Sequence, residues 1–213
     1  MWGPLGAWVY DRSLSGAESA CLGDWRRALL SCAHGDVLEI GAGTGANLAH
    51  YPSAVRRLVL AEPNAGMRAR LKRKVGERPD VTVIDSTAEI LPLPDKAFDV
   101  VVSTLVLCSV NSPGRSLAEV WRLLRPGGQF LFLEHVAAEG RPGRLLWQRL
   151  LEPAWRCMAG NCHLTRDTAG AIAEMGFHVE DVRRESIRKV AGVVRPSIRG
   201  VARRPILEAP PLP

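Results

Sequence analysis

Apolar residues fall along this chain in short unbroken runs, separated by longer stretches in which they recur at helical spacing. The runs "DVLEI" (36–40), "RRLVLAE" (56–62), "VTVID" (81–85), "FDVVVSTL" (98–105) and "GQFLFLEHV" (128–136) are continuous rather than alternating, as in strands covered on both faces of a parallel sheet. Between them, "NAGMRARLKRKVGE" (64–77) predicts a helix with Asn64 as N-cap, and "SPGRSLAEVWRLL" (112–124) another, capped by Ser112 with Pro113 in its first turn. "GANLAHY" (45–51) is expected to open a helix as well. Strand alternating with helix implies parallel strands joined by crossover helices, a doubly wound α/β fold.

After residue 140 the rhythm changes. "GRLLWQRLLEPAWRCMAG" (143–160) carries an apolar face broken by Pro153, and "TRDTAGAIAEMG" (165–176) predicts a helix with Thr165 as N-cap and Asp167 in its first turn. "FHVEDVRRESI" (177–187) and "SIRGVARR" (197–204) then form two strands joined by a turn containing Gly and Pro. The sum is a seven-stranded sheet, mostly parallel, closed by a C-terminal antiparallel hairpin strand. No repeat or linker divides it, so residues 1–207 are one domain and 208–213, ending in "PPLP", a disordered tail.

Composition changes this picture little. The chain has 213 residues, 46% hydrophobic and 23% charged, ordinary for one globular domain with a sizeable core. The formal charge is +6, and basic residues gather after residue 140 in "DVRRESIRK" and "IRGVARR". Such a patch suits an acidic partner or an anionic membrane surface, and a solvated strand edge accounts for it equally. No aromatic-rich basic strand or recognition helix accompanies it, so nucleic acid is not an expected partner. Five cysteines without a C-x-x-C pair point to a reducing, cytoplasmic setting. No basic leader precedes an apolar run, and nowhere do about eighteen apolar residues pass without a charge, so neither a signal peptide nor a membrane span is expected.

"VLEIGAGTG" (37–45) carries the chemistry. Gly41, Gly43 and Ala46 satisfy G-x-G-x-x-G/A, and Glu62 closes the second strand, which together suit a dinucleotide oxidoreductase. Glu39 stands two residues before the first glycine, where a pyrophosphate would meet unfavourable charge. A ligand with no phosphate and a cationic end fits better. With "AEPN" (61–64), "TAEILPLPDKAFDVVVS" (87–103) and "LRPGGQFLFLE" (124–134) following in order, the chain resembles the class I S-adenosylmethionine-dependent methyltransferases, with their Rossmann-like sheet. From residue 98 to about 170, "TLVLCSVNSPGRSLAEVWRLLRPGG", "EHVAAEG", "WQRLLEPAW" and "GNCHLTRDT" are similar to the alkyl thiol methyltransferases of the methyltransferase-like 7 group and their bacterial relatives. That group's animal members carry an N-terminal hydrophobic anchor, which the start of this sequence does not resemble.

The resemblance implies S-adenosylmethionine as cofactor. Gly41, Ala42, Gly43 and Gly45 would line its methionine and ribose end, with Glu39 tolerating the charged tail and Asn47 beside them. Glu62 would accept the two ribose hydroxyls, since a carboxylate's two oxygens match a vicinal diol. Pro63, Asn64 and Met67 would flank the adenine. Family members commonly present Asp to the adenine amino group where this chain has Thr87, so that expectation passes to Ala88 and Glu89, with Asp85 a displaced candidate. Ser103 and Thr104 would hold the cofactor's ammonium, Leu105 would follow along the methyl-donor pocket, and Tyr10 and Asp11 would close over the cofactor. Residues 1–33 become an N-terminal lid and 140–170 a substrate-side cap.

The implied reaction is an in-line displacement at a methyl group made electrophilic by its sulfonium. A thiol with a pKa of about 8.5 needs only a modest push to become a nucleophile. His135, at the end of the fifth strand, is the candidate base; its alternative is an imidazole bonded to a loop carbonyl. Cys108, Ser109, Asn161 and His163 are candidate acceptor contacts. Cys157, Asn161, Cys162 and His163 lack the spacing of a metal site, and none is expected. Trp147 and Trp155 are expected to pack a core or cap. The favoured acceptor is a small thiol. The same motifs permit carbon or oxygen methylation of a quinone or phenolic compound, nitrogen methylation of a phospholipid headgroup, and, in a different class, a non-catalytic cofactor-binding protein.

Overall fold

The computed structural model describes residues 4–206; the expected tail at 208–213 lies outside them. The sheet has seven strands: β1 (Gly35–Ile40), β2 (Val55–Ala61), β3 (Val81–Ile84), β4 (Phe98–Thr104), β5 (Leu124–His135), β6 (His178–Ser186) and β7 (Pro196–Arg203). Their order is β3-β2-β1-β4-β5-β7-β6. β1 to β5 pair in parallel, and β7 inserts antiparallel between β5 and β6. The expected mostly parallel sheet with a closing hairpin is the one observed.

The continuous apolar runs are explained by two cores, one on each face. Leu38, Ile40, Val59, Val101, Phe130 and Phe132 meet Leu117, Val120 and Leu123 of α4 (Pro113–Leu123) and Ile172 of α6 (Thr168–Glu174). Their strand neighbours Val37, Leu58, Leu60, Val100, Val102 and Leu131 meet Leu29 and Leu30 of α2 (Gly23–Leu30) and Leu71 and Val75 of α3 (Ala65–Val75). Successive side chains point to opposite faces, so a strand covered on both sides must be apolar at every position. α1 (Pro4–Ala17) runs into α2 through a π-helical turn, Glu18–Leu22, in which Gly23 N–H reaches back to Glu18 O.

The expected caps form: Asn64 accepts from Met67 N–H at 3.1 Å and Ser112 from Arg115 N–H at 3.3 Å. Three local expectations are corrected. After the glycine loop no α-helix begins; only a 3₁₀ turn, Leu48–His50, precedes Pro52, because too few residues separate the loop from the proline to nucleate one. Pro153 does not break its helix: α5 (Pro142–Met158) runs through it along an exposed stretch where water can reach the carbonyl that the proline leaves without a donor. The N-cap of α6 is Asp167, accepting from Gly170 N–H at 2.9 Å, because the Thr165 hydroxyl is taken by Glu152 at 2.5 Å. Among the described residues, no helix is long and apolar enough to cross a membrane.

Candidate active site

The carboxyl ends of β1, β2, β4 and β5 open into a cavity of about 820 Å³, roofed by α1, the end of α5 and the turn before β7. This is where an open α/β sheet binds ligands. Gly41 and Gly43 line it with φ of +59° and +57°, a region closed to most side chains. Gly43 donates its N–H to Glu62 Oε2 at 2.8 Å, and Asn64 its N–H to Oε1 at 2.7 Å. Each oxygen therefore keeps a lone pair for a second donor in the cavity. Burial raises the Glu62 pKa, opposed by those two N–H groups and Arg68.

Pro63, Met67, Thr87, Ala88 and Glu89 line the same end of the cavity, and Thr104 and Leu105 continue the wall. Asp85 is held away from it by Arg68 at 2.7 Å. Glu89 Oε1 accepts Asn111 N–H at 2.8 Å, tying this end to the loop after β4. Leu105 adopts φ +59°, with its N–H bonded to Leu133 O at 2.7 Å, so the chain turns sharply as it leaves β4.

Glu39 and Asn47 do not reach the cavity, nor do Ala42 and Gly45. Glu39 shares the face of β1 with Val37 and is buried beneath the loop, where Asn47 Nδ2 donates to Oε1 at 2.9 Å and Tyr51 to Oε2 at 2.7 Å. Burial pushes its pKa up to about 7 against the hydrogen bonds from Tyr51 and Asn47. The motif glutamate thus braces the loop from below. Gly45 is required by packing, since a Cβ there would strike Leu48 and Leu71.

Sequence reasoning missed Arg26. Its guanidinium is buried and donates to Asn47 Oδ1 and Thr104 Oγ1, both at 2.9 Å, and to Glu18 Oε1 at 2.9 Å. The available signal was its position: Leu22, Arg26 and Leu30 stand at i, i+4 and i+8, which puts Arg26 on the apolar face. Tyr10 lines the cavity, and burial raises its pKa. Asp11 instead accepts from the Thr44 hydroxyl at 2.5 Å and pairs with Arg70 at 3.5 Å, clasping α1 to the glycine loop.

At the far end Cys108, Ser109, His135, Trp155 and Cys162 meet. His135 is buried, its Nε2 3.4 Å from Val193 O and its Nδ1 3.9 Å from Cys162 Sγ. One ligand atom each of Cys108, His135 and Cys162 lies within 4.8 Å of the other two. A hydrogen bond from Cys108 lowers the Cys162 pKa to about 4, and the same bond raises that of Cys108. Behind them Glu134 is fully buried, accepting from the Ser103 hydroxyl at 2.6 Å, Val106 N–H at 3.2 Å and Cys108 N–H at 3.4 Å. Its pKa is raised by burial to about 7. Ser103 thus supports the cavity from behind.

Two expected acceptor contacts are corrected. Asn161 donates to Ser109 O at 2.9 Å, and His163 pairs with Glu152 at 3.0 Å while its N–H goes to Cys108 O at 2.8 Å. Both hold the loop, and the residue between them, Cys162, faces the cavity. Trp155 lines the cavity, whereas Trp147 lies on the surface rather than in a core.

Residues 38–132 match the family model described as "Methyltransferase domain". Over 170 residues the chain is 38% identical to "Thiol S-methyltransferase TMT1A" of Homo sapiens, covering 78% of this chain and 69% of that protein. Over 145 residues it is 41% identical to "Thiol S-methyltransferase TMT1B" of Rattus norvegicus, covering 66% of this chain and 59% of that one. The chain therefore spans roughly three fifths to two thirds of the length of these relatives. An S-adenosylmethionine dependent methyltransferase from Mesorhizobium loti shares the fold with TM-score 0.64 at 24% identity, covering 88% of this chain and 98% of that one.

Proposed function

The chain belongs to the family of S-adenosylmethionine-dependent methyltransferases, and from that premise we propose that it moves the donor's methyl group to the sulfur of a small apolar thiol. The observation that carries this reading is the continuity of the cavity. One space of about 820 Å³ runs from Glu62 and Met67 to a wall of Cys108, His135 and Cys162, within the size range of sites for drug-sized ligands. Glu62 takes the ribose diol through the lone pairs that Gly43 and Asn64 leave open, and Pro63 and Met67 flank the base. Leu105 would line the methyl-donor stretch between that end and the far wall.

Transfer requires the acceptor sulfur in line with the methyl carbon, a dry pocket and a place for the thiol proton. Leu14 and Trp155 help to keep water out. His135 takes the proton on Nδ1, because Nε2 faces the Val193 carbonyl and is the nitrogen that carries hydrogen. The names of TMT1A and TMT1B support sulfur as the acceptor atom. Five cysteines, all unpaired, support a reducing, cytoplasmic setting.

The test is an acceptor panel: purified protein with S-adenosylmethionine and an alkyl thiol, an aryl thiol, a phenol, a hydroquinone or a phosphatidylethanolamine vesicle. Mass spectrometry follows S-adenosylhomocysteine and the methylated product. Methyl thioether formed from the thiols is the expected result. Turnover confined to the phenol, the hydroquinone or the amine would overturn the reading.

A further inference from the structure

We propose that Cys108 Sγ, Cys162 Sγ and His135 Nδ1 form a three-ligand site for a thiophilic divalent ion of the zinc type, with its fourth position facing the acceptor end of the cavity. The proposal deepens the thiol-methylation reading and rests on it for the identity of the fourth ligand. The three residues come from the loop after β4, the end of β5 and the loop after α5, and all three line the cavity.

Geometry is the first support. The three donor atoms lie within 4.8 Å of one another, and Cys162 Sγ is 3.9 Å from His135 Nδ1. Tetrahedral zinc, with bonds of about 2.3 Å to sulfur and about 2.0 Å to nitrogen, needs donors roughly 3.5–3.8 Å apart. Rotamer adjustments of a few tenths of an ångström to about 1 Å close the triangle. Two thiolates and an imidazole are a donor set found in catalytic zinc sites, which keep one position open.

The surroundings are the second support. A ligating histidine ordinarily donates its other ring N–H to a carbonyl, which fixes the tautomer, and His135 Nε2 has Val193 O at 3.4 Å. That carbonyl is held in turn by Gln148 Nε2 at 2.9 Å. The Cys162 backbone is fixed by its N–H to Ala159 O at 3.2 Å, and Cys108 by its N–H to Glu134 and its carbonyl to His163 N–H. Arg166 grips the carbonyls of Leu107 and Val110 on either side of Cys108, placing a cation where the ion with three sulfur ligands would carry a net negative charge.

The chemistry balances without a further reactant. The acceptor R–SH binds the ion as R–S⁻ and its proton leaves to solvent. The thiolate's electron pair forms the new S–CH₃ bond as the C–S bond of the sulfonium breaks, and that bonding pair stays on the donor sulfur as S-adenosylhomocysteine. The product thioether is a neutral, weak ligand and departs, and the ion's charge is unchanged. With the ion in place His135 Nδ1 is a ligand, so the ion replaces His135 as the agent that makes the thiolate.

The experiment uses the whole protein, purified with reductant and added zinc, then gel-filtered. Elemental analysis should give about one zinc per chain, and cobalt substitution should give the thiolate-to-metal charge-transfer and visible bands of a tetrahedral site. C108S, C162S and H135A should each lower zinc affinity by at least about tenfold, whereas C157S, at an exposed cysteine, should not. S-adenosylhomocysteine affinity, measured on every variant, reports folding independently. Substoichiometric zinc with no cobalt–thiolate band overturns the proposal, as does full thiol turnover by metal-free protein, which leaves the methylation reading standing. Stoichiometric zinc lost in the three variants, in a protein that methylates no thiol, supports the metal site and removes the methylation reading.

Discussion

Gly43 N–H and Glu62 Oε2 are 2.8 Å apart, so the glycine loop after β1 and the end of β2 form one hydrogen-bonded unit before any ligand arrives. Glu62→Ala removes that bond and the acceptor for the ribose diol together. We expect S-adenosylhomocysteine affinity to fall about 10- to 100-fold, the worth of one or two charge-assisted hydrogen bonds. Glu62→Gln should lie between. Unchanged affinity by calorimetry would remove the ribose role.

Glu39 gives a pH dependence of known sign. Its folded pKa is raised to about 7 from 4.5, so folding favours the protonated form. Stability is fully present below the unfolded value and is lost as pH rises through the folded one, by at most about 3 kcal/mol. Glu39→Gln stays neutral throughout. Its melting temperature should exceed the parent's by roughly 5–10 °C at pH 8 and converge with it near pH 4.5. A constant difference across pH would show that Glu39 ionises freely in the fold.

Arg26 is buried and bonded to three side chains, whereas Glu18, its ionic partner, is 29% exposed. Removing the arginine leaves Asn47 Oδ1 without its donor and Thr104 Oγ1 with only Asn47 Nδ2 at 3.1 Å, so Arg26→Ala should cost about 3 kcal/mol in urea unfolding, and Glu18→Gln about 1 kcal/mol. Equal effects would contradict the hub role.

A Cβ at Gly41 would stand 2.6 Å from Val106 Cγ2, in a backbone region that disfavours any side chain. Gly41→Ala should abolish detectable cofactor binding, and adding Val106→Ala should restore part of it. No recovery in the double variant would place the defect in the backbone alone.

His135→Ala separates proton transfer from zinc ligation: loss of a base lowers thiol turnover more at about pH 6.5 than at about pH 9, where solvent already ionises most of a thiol of ordinary pKa, about 8.5. Rates across pH, normalised to the parent, decide this. A uniform loss would remove His135 from the proton's path.

The sheet was legible because strands covered on both faces leave continuous apolar runs, and Glu62, Met67 and Ala88 could be placed in the cavity because a motif fixes them relative to those strands. What failed depended on where side chains turn. Glu39 sits beside the glycines in sequence, yet strand alternation sends it beneath the loop. Asn161 and His163 flank the residue that faces the cavity, a distinction that spacing cannot make in a loop. His135 and Cys162 are 27 residues apart and meet only because β5 ends where the loop after α5 returns. The Pro153 and Thr165 expectations rested on local propensity, which exposure of the helix and the Glu152 hydrogen bond overrode.

The insertion of β7 between β5 and β6 sets the timetable by which a nascent chain becomes competent. Every group we assign to the ribose and adenine lies before residue 90, but Thr104 and Leu105 of the same wall come with β4, and Glu89 is tied to Asn111 just after it. The Val193 carbonyl that orients His135, and the β7 edge that seals β5, are among the last pieces to emerge. The acceptor wall is therefore completed only when the C-terminal strand is in place.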